Sequence, residues 1–365
     1  MDNKLPARPS LEQLRKRAKE LKDSGQHPTL SDAQFALARQ YGFPSWPKLK
    51  TAVELDTLSR YMGERNYEAT RKLLAESPNL VREPVEDGSY PLHFAAELDD
   101  PQLVQILIET GAPLDQKWDN SGHTPLSWAV TYGSQQAALK FIELGDAPDL
   151  FTAAGMGLID HVKRFWSSGN LEGLPSTTGS SRFTESGEAL PRPPVDANDQ
   201  VSDALYIACR NGHLEVAKFL LDKGADSNWR GYCGANCLAW AEFAGNSELC
   251  DLLLERGADP HMRDFNYQAE PKLFALMAFA TWGFPVDQLR QRLSQSPEMV
   301  NARGGFGTLL NAAVWNNQVE AAKVLLEFGA DREAKNAAGL NALELAKERG
   351  NSALVELLSA SWSVT

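Results

Sequence analysis

The sequence predicts an all-α solenoid, a stack of short helix pairs joined by short β-hairpin connections and preceded by a small helical cap. Three observations lead there. The stretch 204–260 is one unit written twice: Leu205 and Leu238, Ala208 and Ala241, Gly212 and Gly245, and Leu221 and Leu254 each recur at 33 residues. Within each copy a helix rich in small residues runs into a Gly, and a second helix ends in Leu residues followed by Gly-Ala-Asp at Gly224 and Gly257. The same Leu returns elsewhere at 33 or 34 residues, from Leu92 to Leu126 and from Leu276 through Leu309 to Leu343. A fixed period of this length marks units that bury their apolar faces only against one another. A chain of 365 residues exceeds one ordinary core, but a stack grows by adding units and escapes that limit.

The N-terminal segment stands outside the period. Ser10 with Gln13 forms a capping box that opens a helix with Leu11, Leu14, Ala18 and Leu21 on one face. Ser31 with Gln34 is expected to open a second helix, with Phe35, Ala36, Leu37 and Ala38 turned inward. Tyr41 to Pro44 stops it, and Ser45-Trp46-Pro47 starts a third. Residues 1–50 carry ten Lys or Arg against five Asp or Glu, whereas the rest of the chain carries 26 against 43. A basic helical cap on an acidic stack reads as a lid for the exposed edge, its cations facing repeat carboxylates. No helix here presents a base-reading set of Arg, Asn and Gln, and the acidity of the repeats opposes contact with phosphates, so nucleic acid is not the expected partner.

Repeats begin with a degenerate unit at 60–81, then full ones at 88–115 and 122–145. Thr124-Pro125 supplies a side-chain cap and a fixed φ at a helix start. His93 is expected to bond neighbouring hairpin backbone. Regularity fails next: Leu150 follows Leu126 by only 24 residues, so Pro148-Asp149 should carry the chain straight into a helix without a hairpin. The excess appears at 167–200, a Gly, Pro, Ser and Thr-rich insertion. It is read as a loop covering part of the groove, with a flexible linker as the alternative. Ser180, Ser181 and Arg182 inside it offer hydroxyls and a cation suited to an anion. After the regular pair comes an irregular unit at 273–300, then two more units. The last has Lys347, Glu348 and Arg349 where inner units are apolar, as an exposed end requires. Nine units are expected, in domains 1–54 (cap), 55–166 (first block), 167–200 (insertion) and 201–362 (second block).

This wording resembles the ankyrin repeat, and the string LARQYGFPSWPKLK resembles the leader of a group of bacterial ankyrin-repeat proteins. The resemblance implies that ligands are held at hairpin tips and at the two residues before the helical Gly. Those positions carry Tyr132, Met156, Arg210, Asn211, Phe243, Trp282 and Trp315, and, in the hairpins, Trp118, Arg230, Tyr232, Arg303 and Phe306. Exposed aromatics among Arg residues have the composition of an interface, so the expected partner is another protein or peptide. The alternative is a small-molecule site or an enzyme formed between the insertion and the groove. Trp128 and Trp240 fall at a buried repeat position and are read as core.

Catalytic signatures are lacking: there is no GxSxG, HExxH or dinucleotide fingerprint. Cys209 and Cys250 sit at packing positions, while Cys233 and Cys237 would need two further ligands to hold zinc. No metal, cofactor or catalytic residue is therefore assigned. Four cysteines in so long a chain make no disulfide framework, and the N-terminus lacks a secretory apolar run. A reducing cytoplasm with no membrane association is the expected setting.

Overall fold

The computed structural model describes residues 5–6, 8–85, 87–118, 122–172 and 197–360. The chain forms two compact units, Met1–Pro148 and Asp149–Thr365.

In the first unit, α1 (Leu11–Asp23), α2 (Leu30–Gln40) and the start of α3 (Trp46–Gly63) enclose a small core of Leu14, Ala18, Leu37, Ala38, Leu49 and Val53. Ser10 caps α1 by accepting from the Gln13 amide. The cap of α2 is Thr29, not Ser31: its hydroxyl accepts from the Asp32 amide at 3.1 Å, which starts the helix earlier. The buried face is accordingly Ala33, Leu37 and Ala38, and Phe35 is exposed rather than inward. Ser45 caps α3, with Pro47 in its first turn. That helix runs unbroken through residue 54 to Gly63, so the last helix of the cap is also the first helix of the first repeat. Lys48 reaches Glu83 at 3.4 Å, one contact of the basic segment with a repeat carboxylate.

Helix α3 pairs with α4 (Tyr67–Glu76), α5 (Pro91–Glu97) with α6 (Pro101–Glu109), and α7 (Pro125–Tyr132) with α8 (Gln135–Glu143). First helices stack on first helices and second on second. Thr124 caps α7 through the Ser127 amide, and buried Asp100 caps α6 while accepting from the Tyr67 hydroxyl at 2.9 Å.

The second unit continues the pattern in six pairs. They are α9 (Leu150–Gly155) with α10 (Ile159–Arg164), α11 (Ala197–Arg210) with α12 (Leu214–Asp222), α13 (Cys237–Ala244) with α14 (Ser247–Glu255), α15 (Pro271–Thr281) with α16 (Val286–Gln295), α17 (Leu309–Trp315) with α18 (Val319–Glu327), and α19 (Ala342–Glu348) with α20 (Ser352–Ser359). Asp149 caps α9 directly through the Thr152 amide at 2.8 Å, which is how the chain enters this helix without a hairpin. Within this unit, polar side chains latch one repeat to the next. Asn246 donates to the Gly212 carbonyl and Gln318 to the Thr281 carbonyl, while Asn228 both donates to the Gly257 carbonyl and accepts from the Asp259 amide.

The architecture is all-α, as the period requires. The expected hairpins shrink among the described residues to single antiparallel bridges, Arg230 with Asn236 and Arg303 with Thr308. The reason is local: Asn236 and Thr308 are already the caps of α13 and α17, so extended backbone ends after one pair. Gly111, Gly224, Gly257 and Gly329 follow second helices with φ between 82° and 100°, the left-handed conformation their position requires. No described helix is long and apolar enough to cross a membrane.

Candidate binding surfaces

In the first unit, the two predicted residues Trp118 and Tyr132 are joined through a third. The Trp118 ring meets Trp128 edge to face at 4.6 Å, and Trp128 meets Tyr132 at 4.8 Å. Trp118 is fixed from both ends: its indole N–H donates to the Asp87 carbonyl at 2.8 Å and its amide to the His123 carbonyl at 2.9 Å. Trp128 is half-buried, which corrects its reading as core. Its ring neighbours include Trp118, His123 and Tyr132, and it shares a cavity wall with residues of the preceding repeat.

Beside these rings lies a cavity of about 170 Å³ lined by Tyr90, His93, Phe94, Trp118 and Trp128, with Asp87, Ser89 and Glu97 among the polar residues. His93 is buried, and one ring nitrogen, Nε2, bonds the His123 carbonyl at 2.9 Å, as its position predicts. Burial holds its pKa below that of a free imidazole, against the opposing effect of this carbonyl bond and of the Asp87 charge. Glu97 and Asp87 are exposed at the rim. The apolar walls push the Glu97 carboxyl up, the Trp128 indole acts in the opposite sense, and the Asp87 charge adds to the rise.

The second unit carries the other ten predicted surface residues. Around Trp282, half-buried at the end of α15, ring centroids of Phe243, Phe284 and Tyr232 lie at 6.0, 6.2 and 6.3 Å. Phe243 stacks on Phe279 at 4.9 Å and 12°. Trp240 forms the floor: it is fully buried, with Tyr206 and Phe274 from the two flanking repeats packed edge-on at 5.6 and 5.1 Å. Phe306 and Trp315 form a separate pair at 5.4 Å, with the Arg349 guanidinium 4.3 Å above the Trp315 ring.

The arginines among these rings are engaged with the chain itself. Arg210 lies 4.4 Å over Trp240. Arg230 stacks 4.7 Å over Phe265 and donates to the Gly234 and Arg263 carbonyls at 2.7 and 3.0 Å, and Arg303 donates to the Lys335 carbonyl. Asn211 donates to the Gly155 carbonyl at 2.7 Å, a link between repeats, and Met156 is half-buried at the end of α9. Arg292, which the sequence did not single out, donates to the Glu242 and Phe243 carbonyls and lies 4.4 Å from Phe279. Its partial burial lowers its pKa, against the pull of Glu242.

Ser180, Ser181 and Arg182 lie outside the described residues, as do 173–196 of the insertion in general. All four cysteines are free and buried, and burial raises the Cys233 and Cys237 thiols well above their ordinary value, so they pack as uncharged groups. Among the described residues no group of His, Cys, Asp and Glu is arranged to hold a metal. Sequence reading missed Trp128 as a wall residue and Phe284. The signal for Phe284 was present: apolar residues continue past Gly283, beyond the end of the helix.

A family model described as ankyrin repeats (3 copies) matches residues 59–152 and 183–264. The human SH3 and multiple ankyrin repeat domains protein 2 is 25% identical over 60% of this chain and 11% of its own length. The human palmitoyltransferase ZDHHC17 is 28% identical over 53% of this chain and 29% of its own length. The Stachybotrys chartarum ankyrin repeat domain-containing protein SAT10 is 26% identical over 73% of this chain and 13% of its own length. The chain thus spans less than a third of each of these relatives. The family model ends at residue 264, whereas helix pairs of the same build continue through α15 to α20.

Proposed function

Because this chain is an ankyrin-repeat protein, and such repeats serve as protein-binding modules, we propose that it is a scaffold that holds another protein or peptide on the aromatic surface of its second unit. The observation that carries this reading is the cluster of Tyr232, Phe243, Trp282 and Phe284, partly open to solvent and resting on the buried Trp240. Rings anchored on a packed floor lose little freedom on binding, so their remaining apolar area is available to a partner. Arg210, stacked on that floor, adds a cationic edge. The anchors expected to matter most are Trp282 and Tyr232, since hot spots are enriched in Trp, Tyr and Arg.

The test is selection of displayed peptides on the immobilised full chain, followed by affinity measurement with a Tyr232→Ser, Trp282→Ala double variant whose helicity is checked by circular dichroism. Selected peptides should lose affinity by about a hundredfold, the scale of two hot-spot side chains. Peptides that bind wild type and variant equally would remove this surface from consideration.

A further inference from the structure

We infer that the cavity of the first unit is a receptor for a lysine ammonium presented by a partner polypeptide. It is distinct from the aromatic surface of the second unit, and its test reads it separately.

The walls are rings with their π-faces and edges fixed. Trp118 is tied to the Asp87 carbonyl, Trp128 is wedged against it at 4.6 Å, and Tyr90 lies 6.0 Å from His93 on the remaining side. A cation held against such faces is attracted by the ring quadrupoles, most strongly by indole. The rim is acidic, with Glu97 and Asp87 both lining the opening. Glu97 lies against apolar walls that already resist its ionisation, so an incoming cation restores what burial takes away. His93 is 1% exposed, its Nε2 is committed to the His123 carbonyl, and its other nitrogen, Nδ1, is buried without a hydrogen-bond partner among the described residues. With the proton on Nε2, Nδ1 is an acceptor, and it matches an N–H donor rather than an anion.

Size and shape select among cations. A volume of about 170 Å³ falls short of the roughly 300 Å³ at which small-molecule pockets begin, so the end of a side chain fits where a drug-sized ligand does not. One buried acceptor among rings suits a compact ammonium, whereas a guanidinium asks for two coplanar acceptors.

The probe is a capped Gly-Lys-Gly peptide, with norleucine and arginine counterparts, titrated into the full chain while indole N–H resonances are followed by NMR. Trp118→Phe and Trp128→Phe identify the two relevant signals. The lysine peptide should shift both saturably and the norleucine peptide, which keeps the four-carbon stem but lacks the ammonium, should not. Glu97→Gln, an exposed and isosteric change, should weaken lysine binding about tenfold while leaving the other indole signals in place. Equal shifts from the norleucine peptide would overturn the inference, as would no saturable shift up to about 10 mM lysine peptide. An unchanged affinity in Glu97→Gln would do the same, and tighter binding of the arginine peptide would overturn the choice of ammonium.

Discussion

Trp128 and Trp240 occupy the same position of their repeats, two residues after the helical Leu, yet one lines an open cavity and the other is fully buried. The two units differ in the same sense. In the first, rings stand around a recess with carboxylates at its rim; in the second, they pack into a filled cluster whose arginines stack on rings or reach backbone carbonyls. Repeat position therefore fixes where a side chain starts, and neighbouring repeats fix whether it ends as wall or as core. The charges differ as well: carboxylates stand at the first recess, while guanidinium groups lie among the rings of the second cluster.

The comparison is most directly tested by truncating both indoles. Trp240→Ala should destabilise by about 3–5 kcal/mol, as for other fully buried aromatics, whereas Trp128→Ala should cost about 1–2 kcal/mol. Urea unfolding of the two variants reads the difference, and equal losses would mean the two positions are energetically alike after all. A second pair sharpens the contrast in packing. Gly133 and Gly234 both have left-handed φ, 77° and 73°, but a Cβ at Gly133 meets open space and one at Gly234 meets the Phe265 ring. Ala at the first should cost about 1 kcal/mol, and at the second about 2–4 kcal/mol once ring displacement is added. Thermal melts that rank them in the opposite order would contradict this account of the second unit.

Smaller effects are expected from the arginines that close helix ends. Arg292→Lys removes a fork that reaches two carbonyls under partial burial and should cost about 1–2 kcal/mol. In the first unit Arg65, more than half exposed, reaches the Leu98 carbonyl at 3.2 Å, and its replacement by Lys should cost under about 0.5 kcal/mol.

The two units are expected to agree in one respect. His93 in the first and His213 in the second both bond carbonyls, and burial lowers the pKa of each below 6.5. A folded pKa below the unfolded one means the unfolded chain binds more protons as pH falls, so this contribution is complete above about pH 6.5 and is lost progressively towards the lowered values. Melting midpoints should drop from pH 7.5 to pH 5 in wild type, and by less in a His93→Gln, His213→Gln variant. An identical drop in both proteins would show that other groups carry the acid sensitivity.

Most of the scaffold was legible in the sequence because its signals are local. The period of Leu and Gly, the caps at Ser10, Ser45, Thr124 and Asp149, and the left-handed glycines each depend on a few adjacent residues. Where a competing local cap exists, as with Thr29 ahead of Ser31, the helix starts earlier than the Ser31–Gln34 pair predicts, and Phe35 lies on the solvent face.

By itself, the sequence determined the repeat, its number of helix pairs and the places where side chains leave the scaffold, since stacking identical units allows little else. Only the tertiary structure decided which of those side chains meet. Trp240 is closed in by rings from both flanking repeats; Arg230 and Arg303 find carbonyls of the next repeat; Glu97 comes to stand at the mouth of a cavity walled by Trp118 and Trp128. Most of these contacts join residues of different repeats, and no pattern within a single repeat encodes what its neighbours supply.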